Sequence, residues 1–149
     1  MSCSLIRRSL LLRAVLVGAL SATALPAQAV CPTSLAGKRY SSQIRFYDAQ
    51  MSFIGTCVTT NTFVVQDGVS TFPGTGYCTD TAGNTSAYTK LTTIRAGVSD
   101  ACLQYFSGQD SLGNSYVGWN IVVDNGRLMY SVGATVDGSI RFFDRLELH

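Results

Sequence analysis

From residue 116 to residue 132 apolar and polar side chains alternate, and the alternation is mirrored across Asn125-Gly126. Asn-Gly suits a two-residue type I′ turn, whose central positions both need a positive φ. Such a turn sets Val123 opposite Leu128, Ile121 opposite Tyr130 and Trp119 opposite Val132, an all-apolar face. The other face pairs Asp124 with Arg127, Asn120 with Ser131 and Val122 with Met129. A slip of one residue would exchange the faces, so turn chemistry and pattern support a single register.

The same reading extends in both directions. Tyr40, Ser42, Ile44 and Phe46 alternate with Arg39, Gln43 and Arg45, a half-buried strand. Asp48-Ala49-Gln50 turns the chain, and 51–60 reads as a second strand with Gly55 at a bend or bulge. Asp67-Gly68 is another hairpin signal. It pairs Gln66 with Val69 and Phe63 with Phe72, and the extended ladder brings Cys57 opposite Cys78. Opposed residues have Cα atoms about 4.5–5.5 Å apart, within disulfide reach. Asp80-Thr81-Ala82-Gly83-Asn84 and Asp110-Ser111-Leu112-Gly113-Asn114 repeat one pattern, a type I turn followed by a bulge. A calcium loop would need more than the single carboxylate each offers. Between these loops, 85–94 is a Thr-rich strand whose core signal is Tyr88 and Leu91. The Asp110 turn sets Tyr105 opposite Trp119, Leu103 opposite Ile121 and Ala101 opposite Val123, adding a strand to the apolar face.

Two registers compete in the last hairpin. A two-residue turn at Asp137-Gly138 puts Phe143, Arg145 and Glu147 on the Trp119 face. A three-residue loop, Asp137-Gly138-Ser139, aligns Val136 with Ile140, Ala134 with Phe142, Tyr130 with Leu146 and Leu128 with Leu148. The apolar match favours the three-residue loop, which places Asp144 on the Trp119 face.

No stretch after residue 29 shows a helical period. About eight to nine short strands predict an all-β domain, a small antiparallel up-and-down, calycin-like β-barrel, with a β-sandwich as second choice. Eight strands enclose an interior filled by side chains or holding one small ligand. Gly37-x-x-Tyr40, at the head of the first strand, is loosely similar to the Gly-x-Trp that opens exported barrels of the lipocalin and avidin type. The spacing is one residue longer, and Tyr stands in place of Trp.

Ahead of this domain, Arg7, Arg8 and Arg13 accompany an apolar run over 10–25, and Ala27-Gln28-Ala29 has the small-x-small form of a cleavage site. Residues 1–29 therefore read as a cleaved secretory signal peptide. Residues 30–149 form one domain, exported to the periplasm or the cell exterior. The run is short and broken by Arg13, unlike a membrane anchor. Gln28-Ala29-Val30 before Cys31 lacks the lipoprotein pattern. Arg7-Arg8-Ser9-Leu10-Leu11 faintly resembles a twin-arginine signal, but a domain that needs oxidation suits the ordinary secretory route.

The full chain carries 11 Lys+Arg and 9 Asp+Glu, a formal net charge of +2. Without the three leader arginines, eight Lys/Arg face nine Asp/Glu and the net charge is −1. Nucleic acid loses its electrostatic support as a partner. Cys3 leaves with the leader, and Cys31, Cys57, Cys78 and Cys102 remain. An even number in a small exported domain reads as two disulfides. The ladder favours Cys57–Cys78 with Cys31–Cys102 over the sequential alternative, Cys31–Cys57 with Cys78–Cys102.

Catalytic groups are sparse. His149, the only histidine, is terminal and expected to be an exposed tail. Ser-His-Asp, Cys-His and zinc arrangements lack their histidine. Asp48, Asp67, Asp80, Asp100, Asp110, Asp124 and Asp137 sit beside turn residues, and Glu147 alternates outward. No cofactor, metal or enzymatic activity is expected. Tyr105, Trp119, Tyr130 and Phe142, joined by Tyr40 or Phe46, line the inferred inner face, where Asp144 is a polar anchor. The leading expectation is an exported binding protein holding a small apolar or amphipathic ligand. Phe106, Val122, Met129 and Phe143 fall on the opposite face among Arg127, Arg141 and Arg145. That face is either covered by the segment after Cys31 or a partner patch, the alternative being a secreted or envelope protein-interaction module such as an inhibitor or accessory factor.

Overall fold

The computed structural model describes Cys31 and residues 34–67, 69–100 and 102–149, the side chains of 95–100 excepted. The leader at 1–29 and the pairing of Ala101 with Val123 lie outside these residues. Nine strands are described: β1 (Arg39–Asp48), β2 (Phe53–Thr62), β3 (Val64–Gln66), β4 (Val69–Asp80), β5 (Thr85–Asp100), β6 (Leu103–Asp110), β7 (Ser115–Val123), β8 (Leu128–Thr135) and β9 (Ile140–Leu148). Neighbours in sequence pair antiparallel except β2 and β3, β1 pairs with β9, and β2 pairs with β4. The result is a closed eight-stranded barrel with one extra strand, since β3 continues the line of β2 along the same partner. Closure leaves the long strands no open edge. Among the described residues no helix is long and apolar enough to cross a membrane, which says nothing of strands.

Turn chemistry fixes most of the register. Arg127 N–H donates to Asp124 O at 3.0 Å. Asn125 and Gly126 have φ of 52° and 80°, the two positive values of a type I′ turn, and Asp124 ahead of them adds a third at 50°. Val123↔Leu128, Ile121↔Tyr130 and Trp119↔Val132 follow, as do Tyr105↔Trp119 and Leu103↔Ile121. The ladder from Gln66↔Val69 reaches Cys57↔Cys78. Both favoured disulfides are present, Cys57–Cys78 and Cys31–Cys102.

The last hairpin takes the register opposed by the apolar match. Ser131 faces Asp144, Val132 faces Phe143 and Tyr130 faces Arg145. The loop has four residues, 136–139, which keeps the parity of a two-residue turn. Gly138 N–H donates to Thr135 O at 2.9 Å. The Thr135 hydroxyl then accepts Ile140 N–H at 3.0 Å and donates to Asp137 Oδ1 at 2.6 Å. A side-chain oxygen thus takes the place of a ladder carbonyl.

The larger correction concerns which face is inside. Tyr105, Trp119 and Tyr130 are on the outer wall, with Trp119 38% and Tyr130 41% exposed, and Phe143 is outside as expected. Phe106, Val122 and Met129, assigned above to an outer patch, are 3%, 1% and 0% exposed. Volume explains the inversion, because an eight-stranded barrel has room for few large side chains at one level. Five of its aromatic residues lie opposite a glycine: Phe46↔Gly55, Tyr88↔Gly76, Phe106↔Gly118, Tyr116↔Gly108 and Phe142↔Gly133. A Cβ at Gly118 would lie 2.6 Å from Phe106 Cζ, and one at Gly133 2.4 Å from Phe142 Cζ. The outer face offers no such gaps. Phe142 and Asp144 remain inside because two one-step differences, of face and of register, cancel.

One end of the barrel is plugged. Phe72 meets Tyr40 and Phe63 at ring-centroid distances of 5.8 and 5.7 Å, with Leu35, Met129, Val122 and Leu146 buried in the same core. The Tyr40 hydroxyl donates to Gly126 O at 2.6 Å, tying β1 to the β7–β8 turn. Burial pushes that phenol up to about 12.

Gly133→Ala should destabilise the barrel by about 1–3 kcal/mol, the usual cost of overpacking. Urea denaturation reads it, and wild-type stability would count against the glycine–aromatic account. Replacing Phe142 as well should not restore stability, because Val117 O lies 2.4 Å from the same added Cβ.

Candidate ligand-binding cavity

Strand alternation carries a second set of side chains inward above the plug. β1 contributes Ile44 and Phe46, β5 Tyr88, Lys90 and Thr92, and β9 Phe142 and Asp144. Tyr116 and Asn120 come from β7, Ser131 and Thr135 from β8. They surround a cavity of about 390 Å³, a size suited to a small organic ligand. A cluster of rings forms part of its wall: Phe46, Phe106 and Tyr116 each lie within 6.3 Å of Phe142, centroid to centroid. Asp80, Asn84, Asp110, Leu112, Asn114 and Ile140 line it at the end where the β4–β5, β6–β7 and β8–β9 loops gather.

The deeper lining is polar and paired. Lys90 Nζ lies 3.1 Å from Asp144 Oδ2, with side chains 8% and 3% exposed. The Ser42 hydroxyl donates to Asp144 Oδ1 at 2.6 Å. Beside them Ser131 donates to Asn120 Oδ1 at 2.6 Å, and the Thr92 and Tyr116 hydroxyls are 2.8 Å apart. Such pairing is what makes burial of these groups tolerable. Burial is also the main cause holding the Tyr116 phenol up at about 12. Tyr88 is pushed higher still, by burial first and then by the Asp110 carboxylate. Both phenols are therefore neutral at physiological pH and serve as hydrogen-bonding groups.

The mouth carboxylates are engaged by their own loops. Asp110 Oδ1 accepts the N–H groups of Leu112 and Asn114, each at 3.0 Å. Asp80 accepts those of Ala82 and Asn84 at 2.9 Å, and the Asn84 side chain, first among several hydrogen bonds, holds its carboxyl below the usual range. Gly83 and Gly113, at φ of 87° and 86°, complete the two matching type I turns with bulges. Among the described residues no three His, Cys, Asp or Glu side chains gather to hold a metal.

Of the residues expected to line a ligand site, Phe142 and Asp144 line the cavity, while Tyr105, Trp119 and Tyr130 do not. Phe106 lines it from the opposite assignment, Val122 and Met129 pack in the core, and Phe143 is 45% exposed. Sequence reasoning missed Lys90. The phase Tyr88-x-Lys90-x-Thr92-x-Ile94 points it inward, but Leu91, which is exposed, drew attention to the other phase. His149 is held rather than free: its N–H donates to Arg39 O at 3.0 Å, and its ring contacts the Ser41 hydroxyl on the exterior.

No protein-family model and no curated protein matches the chain. Among solved structures it is similar to a de novo designed fluorescence-activating β-barrel. The two are 11% identical over 80% of this chain and 99% of that one, with a TM-score of 0.55. At that identity the likeness concerns the fold alone.

Lys90→Met should destabilise by about 3–5 kcal/mol, because it leaves Asp144 buried beside a single hydroxyl donor. The double variant Lys90→Met/Asp144→Leu should recover most of that loss. Chemical denaturation of the three proteins tests this, and equal losses in single and double variants would count against a coupled pair.

Proposed function

We propose that this chain is an exported, non-catalytic binding protein that holds a small apolar or amphipathic ligand inside the barrel. The cavity carries the reading: about 390 Å³, aromatic along its wall, polar at depth and reached between loops. Export is supported by the leader pattern at 1–29 and by two disulfides, which persist in oxidising compartments. The absence of a catalytic role is an inference from chemistry. The buried phenols are neutral, the mouth carboxylates are tied into turns, and the one histidine is on the exterior. The likeness to the designed fluorescence-activating barrel contributes the fold.

Titration with N-phenyl-1-naphthylamine, a neutral dye that brightens in apolar surroundings, tests the reading. Saturable one-to-one binding is expected, weakened roughly tenfold or more by Ile140→Trp at the mouth, a loss of about 1.4 kcal/mol. Undiminished binding to a folded Ile140→Trp protein, or no binding of this dye or of its carbonyl-bearing analogues, would overturn it.

One observation favours a second reading, the protein-interaction module. Leu103, Trp119, Ile121, Tyr130, Val132 and Phe143 are all at least 38% exposed on adjacent strands of the outer wall. Contiguous exposed apolar surface of this kind often marks an interface. Sedimentation of wild type against Trp119→Arg examines it: self-association that the substitution abolishes supports an interface, and monomers throughout count against association through this wall.

A further inference from the structure

The charge and hydrogen-bonding state of the deep lining narrow the ligand class. A lysine ammonium has three N–H donors. Asp144 Oδ2 takes one, and among the described residues Lys90 Nζ has no other acceptor. The other side of the pair is more fully occupied, with Ser42 on Asp144 Oδ1 and Lys90 on Oδ2. The neighbouring Asn120 Oδ1 already accepts from Ser131. Lys90 therefore keeps N–H donors unmet at this depth, and an incoming acceptor satisfies them without adding a further donor.

Charge and hydrogen bonding together disfavour two of the three kinds of head. Lys90 is the only cation among the described lining residues, and Asp144 already balances it. The remaining charged lining groups, Asp80 and Asp110, are acidic. A carboxylate head would pass those two and then share one ammonium with Asp144, leaving a net buried negative charge. An ammonium head has no lone pair for the Lys90 N–H groups and would set a second cation beside them. A neutral carbonyl oxygen accepts from Lys90 and buries no net charge.

We propose that the cavity takes a neutral, carbonyl-bearing apolar molecule, with its oxygen on Lys90 Nζ and its body among Phe46, Phe106 and Phe142. The proposal rests on the ligand-binding reading of the cavity and adds the chemical class of the ligand.

Three naphthalene probes of similar size test it on the full folded chain. Prodan, 6-propionyl-2-(dimethylamino)naphthalene, is a neutral ketone whose emission moves to longer wavelength when its carbonyl accepts a hydrogen bond. 6-(Dimethylamino)-2-naphthoate presents a carboxylate on the same ring system, and N-phenyl-1-naphthylamine has no carbonyl. Wild type should bind the ketone at least about tenfold more tightly than the carboxylate, the scale of one hydrogen bond to a charged donor. In Lys90→Met/Asp144→Leu the ketone should lose about tenfold and emit at shorter wavelength, while the carbonyl-free dye binds within about threefold of wild type. Equal or tighter carboxylate binding by wild type overturns the proposal, and that comparison needs no variant. Unchanged ketone affinity and emission in the folded double variant overturn it too. Failure of all three probes to bind wild type would instead remove the ligand-binding reading.

Discussion

The volume inside a closed eight-stranded wall is the constraint on which the rest depends. Inward side chains on neighbouring strands meet across a few ångströms, so around the cavity a ring on one strand is matched by an absence on the next. Phe106 has that absence at Gly118, Tyr116 at Gly108 and Phe142 at Gly133. The rings then lean over the glycines and touch one another, with Phe142 the shared neighbour of Phe46, Phe106 and Tyr116. Aromatic burial stabilises the wall, and its glycine positions leave the middle of the barrel open. Cavity and wall stability thus have one origin.

This constraint also explains what was and was not legible in the sequence. Local backbone chemistry was readable: Asn125-Gly126, Asp67-Gly68 and the two Asp-x-x-Gly-Asn loops each demand particular φ values, and those demands carried the ladders as far as Cys57↔Cys78. The sidedness of β6–β8 was not read correctly, because counting apolar residues treats the barrel interior as an unlimited sink. Trp119, Ile121 and Tyr130 make the more apolar face, yet they are outside. The glycines at 108, 118 and 133 all fall on the Phe106 face, and that spacing was the available signal. The last hairpin failed for a different reason. Thr135 supplies its hydroxyl in place of a ladder carbonyl, an option invisible to cross-strand apolar matching.

The polar residues inside follow from the same geometry. Ser42, Thr92, Asn120, Ser131 and Asp144 alternate in phase with the rings, so they cannot be moved outward without turning the rings out as well. Short polar side chains fit the spaces that the aromatic wall leaves, and each of these five has a hydrogen-bond partner in another strand. The mouth repeats the logic on a different scale, with Asp80 and Asp110 binding their own loop amides.

Lys90 and Asp144 do not follow from packing alone. Two apolar residues of similar size would close the same wall, and replacing a buried ion pair in that way is often neutral or stabilising. The pair also requires two residues, from strands at opposite points of the ring, to keep one separation, whereas an aliphatic pair would tolerate a looser fit. Among the described lining it alone joins a cation to an apolar chamber open to solvent at one end. A group that adds little to stability, holds unmet donors and is reachable from outside has the properties expected of a binding site. The carboxylate is held by Ser42 on the paired strand and by Lys90 across the barrel, one step along the ladder from the Phe46–Phe142 contact.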